Sequence, residues 1–116
     1  MAKVIWTEPA RDDLARIYDF LASESQSLDV ADRICEELLG ASYERLATMP
    51  DSGALVLEAR EHGAREIYRH SYRIIYLHRG DACYVVRCIH SSRDLARMLD
   101  PDHWPKFKEF DSDDQF

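Results

Sequence analysis

The sequence lacks any long hydrophobic run and any pattern of paired cysteines. No apolar stretch approaches the ~20 residues that a membrane-spanning helix requires, and the N-terminus has no basic region followed by an apolar signal core. The chain also has no internal repeat and no linker-like segment. These absences argue against a membrane partner and against a second domain, so we expect a cytoplasmic protein with one principal domain.

Cysteine usage argues against disulfide bonds and against metal binding. Cys35, Cys83 and Cys88 form no CxxC pair, and each lies inside an apolar helix or strand pattern. We therefore expect three buried, reduced thiols. A zinc site that combined a cysteine with histidine would need a ligand spacing that the sequence does not contain. We predict neither a metal nor a cofactor.

The N-terminal half predicts a strand and a helical hairpin. Residues 3–7 form a short β-run, and Thr7 followed by Pro9 predicts the start of a helix. A short polar break at residues 23–27 should fold a second helix, residues 28–49, back against the first. The predicted core positions of the two helices are Leu14, Ile17, Tyr18, Leu21, Val30, Ile34, Leu38, Ala41, Leu46 and Met49. The predicted solvent side of the first helix carries Arg11, Asp12, Asp13, Arg16 and Asp19. Gly40 indicates either a bend or a close helix contact.

The C-terminal half predicts an antiparallel meander. Residues 64–69, 72–78 and 83–90 are rich in β-branched and aromatic side chains, and two short turns connect them. A two-residue turn at Gly80 and Asp81 would place Leu77 opposite Tyr84, Ile75 opposite Val86 and Arg73 opposite Cys88, on one face with His90. The other face would carry Tyr72, Ile74, Tyr76, Val85, Arg87 and Ile89. Both faces are largely apolar, so a one-residue slip would exchange them.

The predicted fold is α+β: an N-terminal strand and an antiparallel helical hairpin packed on a C-terminal antiparallel β-meander, in two layers. The helices should cover one face of the sheet and leave the other available for function. Before the meander, Leu55, Val56 and Leu57 should be partly buried. Residues 1–100 form the predicted domain, with a short helix over residues 93–99.

Charge is unevenly distributed along the chain, whose formal net charge is −7. Residues 60–97 hold eight arginines against four acids, whereas residues 98–116 hold two lysines against six acids. The basic sheet is either a polyanion site or a set of solubilising groups that pair with helix acids. The acidic tail, residues 101–116, carries Trp104, Phe107 and Phe110, and could mask the basic face. Its deletion should then strengthen target binding, which a binding measurement on the truncated chain would test.

The sheet sequence resembles that of the RelE/ParE superfamily of bacterial toxins. The resemblance is carried by residues 72–76 (YRIIY) and residues 89–94 (IHSSRD), together with the upstream helical hairpin, and it implies the two-layer fold of that superfamily. RelE-like members cut messenger RNA on the ribosome, and Arg73 and Arg93 match their phosphate-binding arginines. This reading would make Arg73, His90 and Arg93 the catalytic residues.

A RelE-like nuclease commonly has a tyrosine after the last strand, where this sequence has Ser91, Ser92, Met98 and Leu99. An acidic chain is also a poor ribosome ligand. The resemblance therefore favours the ParE branch, plasmid stabilisation proteins that inhibit DNA gyrase by binding it and are neutralised by a ParD-like antitoxin. Two alternatives stay open: a ribosome-dependent endonuclease, and an inactive relative that only binds an antitoxin.

The resemblance, together with the charge pattern, yields two sets of candidate binding residues. The target-binding candidates are Arg65, Arg69, Arg73, His90 and Arg93. The antitoxin-binding candidates are Arg65, Tyr72, Arg73, Arg87 and Arg93, because an acidic antitoxin segment would pair with these arginines.

Overall fold

The computed structural model describes residues 1–93. In chain order the elements are strand β1 (Lys3–Trp6), helix α1 (Glu8–Ser25), helix α2 (Leu28–Thr48), strand β2 (Ala54–Leu55), a 3-10 helix (Leu57–His62), and strands β3 (Arg65–Arg69), β4 (Tyr72–Arg79) and β5 (Ala82–His90). The predicted helix over residues 93–99 and the acidic tail over residues 101–116 lie outside the described part.

The strands form one sheet in the order β1-β5-β4-β3-β2. Strands β2 to β5 pair antiparallel, which confirms the predicted meander and the α+β fold. Strand β1 pairs with β5 in parallel, with Lys3 opposite Ala82 and Trp6 opposite Val85. The connection between these two parallel strands contains the helical hairpin and strands β2 to β4, and it is well above the dozen residues that a parallel pair requires. The described part of the chain contains no helix with the length and apolarity that crossing a bilayer demands.

Both helices begin at side-chain caps. The hydroxyl of Thr7 accepts a hydrogen bond from the Ala10 N–H, and that of Ser27 accepts one from the Val30 N–H. Helix α1 continues to Ser25, so the predicted break at residues 23–27 is shorter in the structure. Helix α2 ends at Thr48, and Met49 is exposed, so its assignment to the core was wrong.

The core between the helices and the sheet combines helix residues that the periodicity predicted with residues of the strands. Its buried members include Ile17, Leu38, Leu46, Ile74, Tyr76 and Val85. Leu14, Tyr18 and Leu21 pack against them. The indole N–H of Trp6 donates to the Ser42 hydroxyl at 2.9 Å, which ties β1 to α2. Asp13 is the exception: it was predicted to face solvent but is buried.

The second face of the sheet is not an open apolar surface, contrary to the prediction. Its side chains are buried in a cluster of Val56, Ala59, Ala64, Ile75, Leu77, Ala82, Tyr84, Val86 and Ile89. The segment that precedes β3 brings the first three of these residues into the cluster. Leu55, Val56 and Leu57 were all predicted to be partly buried. In the structure Val56 is buried, whereas Leu55 and Leu57 are exposed. A functional surface must therefore be sought elsewhere among the described residues.

A β-bulge changes the predicted register of β4 and β5. Leu77 lies opposite Tyr84 as predicted, but Ile75 pairs with Arg87 and Tyr76 pairs with Val85, so Val86 is the extra residue. Beyond the bulge, Arg73 pairs with Ile89 rather than Cys88, and Tyr72 pairs with His90. The bulge therefore puts Cys88 and His90 on the helix side of the sheet and Ile89 on the second face. The predicted faces of these three residues were wrong.

Both hairpin turns contain two residues, as the sequence predicted. His70 and Ser71 have φ angles of 51° and 67°, which a type I′ turn requires at both central positions. Gly80 has a φ of 59°, and Arg79 pairs directly with Ala82 across its turn. The His70 ring also contacts the Glu37 carboxylate, so this turn is tied to α2.

Gly53 and Gly40 should respond in opposite ways to replacement by alanine. A Cβ on Gly53 would lie 2.7 Å from the Glu66 carbonyl oxygen and 2.7 Å from the Tyr76 hydroxyl, which itself accepts the Gly53 N–H. We expect Gly53→Ala to lower the free energy of unfolding by about 1–3 kcal/mol, the usual cost of overpacking. Gly40 lies inside α2 with nothing within 4 Å of such a Cβ, which excludes the close-contact alternative.

Gly40→Ala is therefore the matched control, and it should raise the free energy of unfolding by about 0.5–1 kcal/mol through helix propensity alone. Urea unfolding followed by circular dichroism measures both variants. Equal responses of the two glycines would contradict the tight packing around Gly53.

Candidate functional site

A cavity of about 620 Å³ lies between α1 and the C-terminal half of β5. Helix α1 contributes Asp13, Arg16, Ile17 and Phe20 to its lining. The sheet and the residues after β5 contribute Tyr72, Arg87, Cys88, Ile89, His90, Ser92 and Arg93. The lining thus combines apolar side chains with several cations, which is the usual make-up of a site that binds a partner or ligand.

Asp13 links α1 to β5 at the inner wall of this cavity. Its carboxylate accepts hydrogen bonds from Arg87 Nε at 2.7 Å and Arg87 Nη2 at 3.0 Å, and from the Cys88 N–H at 3.0 Å. Arg16 lies on the next turn of α1, and its guanidinium approaches the same carboxylate at 3.4 Å. The two partners Asp13 and Arg87 are both buried. This ion pair therefore fixes α1 against β5 rather than presenting Arg87 to solvent.

His90 has one ring nitrogen engaged within its own loop. The Ser92 N–H donates to Nδ1 at 3.1 Å, and the Ser92 hydroxyl lies 2.7 Å from the same atom. Because Nδ1 accepts the backbone bond, the neutral ring carries its proton on Nε2. The ring packs edge-on against Tyr72 at a centroid distance of 5.3 Å. His90 is exposed, so its Nε2–H is a donor available at the rim of the cavity.

Arg73 lies on the opposite face of the sheet, inside an ion-pair cluster. Its Nε donates to Glu66 at 2.7 Å, and Nη1 and Nη2 each approach the Glu58 carboxylate at 3.3 Å. Glu66 and Arg73 are buried, and burial disfavours the charged form of Arg73, but the bonds to both carboxylates outweigh it and raise its pKa. Two carboxylates already satisfy this guanidinium, so it is not presented to a phosphate.

Acid should remove the stabilisation that this cluster provides. The hydrogen bonds from Arg73 hold the pKa of Glu58 below its ordinary value of 4.5. A carboxyl with a depressed folded-state pKa stabilises the fold above its unfolded pKa, and that contribution is lost as the pH falls through the folded value. We expect the free energy of unfolding to fall below about pH 4.5, and to fall less steeply in Glu58→Gln.

Urea unfolding between pH 3 and pH 7 measures this difference. Wild type and Glu58→Gln should converge at the acid end, because Glu58 is then protonated in both states. Parallel pH profiles would show that Arg73 does not depress the pKa of Glu58. The pKa values of Glu37 and Asp51 are also lowered, by His70 and His78, but these contributions are common to both proteins and cancel in the comparison.

The two remaining candidate arginines lie on β3, outside the cavity. Arg65 Nη1 donates to the Gly53 carbonyl at 2.8 Å, which closes the turn that follows α2. Arg69 is exposed at the end of β3. Of the predicted residues, the cavity brings together Tyr72, Arg87, His90 and Arg93, and it does not include Arg65, Arg69 or Arg73. The three proposed nuclease residues are therefore not assembled around one cavity.

The sequence interpretation missed the charged and aromatic residues that α1 contributes to the cavity: Asp13, Arg16 and Phe20. All three lie on α1 and were assigned to its solvent side or left unassigned. Phe20 is 55% exposed, which is unusual for a large aromatic side chain. The spacing of Asp13, Arg16 and Phe20 by three and four residues was an available signal, because it places them on one helix face.

The cysteines are as predicted. Cys35, Cys83 and Cys88 are all free and buried. Burial raises the pKa of Cys83 to about 11 and also raises the pKa values of the other two, so all three remain protonated thiols near neutral pH. No group of three or more histidine, cysteine, aspartate or glutamate side chains within residues 1–93 is arranged to hold a metal ion.

Comparison with solved structures places the fold among those of toxin–antitoxin systems. A chain of the chromosomal ParDE toxin–antitoxin system from P. aeruginosa matches with a TM-score of 0.63 at 19% sequence identity, over 78% of this chain and 96% of that chain. A search of curated proteins by sequence found no match. The family model of the ParE toxin of the type II toxin–antitoxin system parDE matches residues 4–95. The chain belongs to the ParE toxin family, which confirms the resemblance inferred from its sheet sequence.

Proposed function

We propose that this type II toxin inhibits DNA gyrase by binding it and is neutralised by a ParD-like antitoxin. Membership of the ParE family over residues 4–95 is the observation that carries the proposal. Inhibition by binding requires an exposed surface with complementary chemistry rather than a set of groups that move protons. The cavity beside α1 offers such a surface, with Arg93 and His90 exposed at its rim.

The arrangement of the arginines supports binding over RNA cleavage. A nuclease that activates a 2′-hydroxyl needs cations on the phosphate and an acid or base beside it. Arg73 is held by Glu58 and Glu66 on the second face, whereas His90 lies on the helix side of the sheet. These residues would have to converge on one phosphate, and the sheet separates them.

Purified gyrase provides the direct test. The full-length protein should stop the supercoiling of relaxed plasmid and cause cleaved DNA to accumulate in complex with gyrase. Arg93→Ala should weaken this inhibition at least tenfold, because the Arg93 side chain is exposed and supplies a cation at the cavity rim. Arg60→Ala, an exposed arginine outside the cavity, is the matched control and should leave the inhibition unchanged.

Expression without a partner separates the three functions in cells. Failure of DNA synthesis before translation supports gyrase inhibition. Cut messages with intact DNA would instead identify a ribosome-dependent endonuclease and make His90 the first residue to replace. Normal growth, together with normal supercoiling by gyrase in the presence of the protein, would identify an inactive relative that only binds an antitoxin.

A further inference from the structure

We propose that the cavity between α1 and β5 is the docking site for an acidic segment of the antitoxin, in which carboxylates flank one large apolar side chain. This inference rests on the proposed antitoxin partner. It moves the antitoxin contact away from the second face of the sheet, which the described structure shows to be filled. It also adds Arg16 and Phe20, two residues of α1, to the recognition surface.

The lining of the cavity has an excess of positive charge. Its lining holds three guanidinium groups, those of Arg16, Arg87 and Arg93, against the single carboxylate of Asp13. Asp13 is already engaged by Arg87 and by the Cys88 N–H. The Arg16 side chain is 72% exposed although its tip approaches Asp13. The cavity therefore keeps an excess of positive charge at its mouth, where it favours an anionic partner.

The apolar part of the lining favours an acidic peptide over a nucleic acid as the occupant of the cavity. Phe20 is exposed at the mouth, and Ile17 and Tyr72 are buried members of the same lining. A concave site with an apolar lining can bury a large apolar side chain of a partner, as the anchor pockets of protein interfaces do. A duplex is too broad to enter a cavity of about 620 Å³, whereas a single strand, whose bases can stack on aromatic side chains, has to be tested as a competitor.

The donors at the rim match carboxylates. The exposed His90 carries its proton on Nε2, because its Nδ1 accepts the Ser92 N–H, and Arg93 is exposed at the same rim. An acidic residue on either side of the apolar anchor could reach Arg16 on α1 and Arg93 after β5. Charge-assisted bonds of this kind add specificity and speed association more than they add affinity.

The first experiment is a titration of the isotope-labelled full-length protein with a defined peptide, EDEFEDE, followed by NMR. The largest shift changes should fall on the amides of Phe20, His90 and Ser92. Arg16→Gln and Phe20→Ala should each weaken peptide binding at least tenfold. Arg11→Gln is the control, because it removes one exposed arginine from the same helix outside the cavity, and it should change the affinity less than twofold.

Three outcomes would overturn the inference. The peptide could bind elsewhere or not at all, Arg11→Gln could weaken binding as much as Arg16→Gln does, or a thymidine 12-mer could compete for the cavity more tightly than the peptide. In the last case the cavity would be a nucleic-acid site. A peptide with lysine in place of every acid, KKKFKKK, should not bind.

A binding assay then tests the antitoxin itself. The affinity of a purified ParD-like antitoxin for the Arg16→Gln/Phe20→Ala double variant should be at least tenfold weaker than its affinity for the wild-type toxin. Unchanged affinity would reject the cavity as its docking site. Absence of gyrase inhibition by the wild-type protein would reject the proposed target, while the binding measurements would still decide the role of the cavity.

Discussion

Replacing Asp13 by alanine should lower the free energy of unfolding by about 3–5 kcal/mol, the range for breaking a buried ion pair by removing one partner. The carboxylate is 5% exposed and receives two hydrogen bonds from Arg87 and one from the Cys88 N–H. Alanine removes the charge that faces the buried guanidinium and leaves a strand N–H without its acceptor. A loss of this size is a large fraction of the stability of a small domain.

Asp12→Ala is the matched control, because Asp12 precedes Asp13 on the same helix and is exposed. It should change the free energy of unfolding by less than about 0.5 kcal/mol. Asp13→Asn should fall between the two, since the amide keeps an acceptor for the Cys88 N–H but loses the charge. Urea unfolding of the three variants at pH 7 measures the series. A cost for Asp13→Ala near that of Asp12→Ala would show that the ion pair adds little.

Replacing Arg73 by alanine should have an effect of similar size, about 3–5 kcal/mol, for a related reason. The substitution leaves the carboxylates of Glu66, which is buried, and Glu58 facing each other without the cation between them. A structural role predicts partial rescue: adding Glu66→Gln to Arg73→Ala should recover part of the lost stability, because one of the two like charges is gone. Chemical unfolding of the single and double variants gives the coupling energy.

The same variants distinguish a structural arginine from one that binds phosphate. If Arg73 contacted a phosphate of the target, Glu66→Gln would not restore function in the Arg73→Ala background. If it acts only through the fold, the double variant should regain inhibition at temperatures where it is folded. Arg69→Ala is the control for removing an exposed sheet arginine, and it should alter stability by less than about 0.5 kcal/mol.

The elements of this fold could be predicted from the sequence because each has a local signal. Thr7 predicted the start of the first helix, the polar break at residues 23–27 predicted the fold-back of the second, and the turn at Gly80 sets the hairpin. Periodicity also placed Ile17, Leu38 and Leu46 in the core. The errors occurred where a distant residue decides the outcome. Asp13 was assigned to solvent because it is charged, although its position one turn before Ile17 is on the buried face. The contact with Arg87, 74 residues away, explains how the carboxylate can be buried.

The faces of the sheet could not be fixed from the sequence for a related reason. Both sides of β4 and β5 are apolar, so the alternation of polar and apolar residues that normally identifies the core face is absent. The bulge at Val86 then inverted the assignment beyond it. The cavity was predicted only in part: Tyr72, Arg87, His90 and Arg93 were named from the sheet, but its other wall lies on α1, which no sheet motif can reveal.

The short length of β1 leaves part of β5 without a neighbouring strand. Strand β1 covers β5 only as far as Val85, so in residues 1–93 the second half of β5 lies at an edge of the sheet. Open edges template the addition of strands from other molecules, and proteins block them with inward-pointing charges. The Asp13 carboxylate does so by engaging the Cys88 N–H. This contact removes one edge N–H with which a strand of another molecule could otherwise pair.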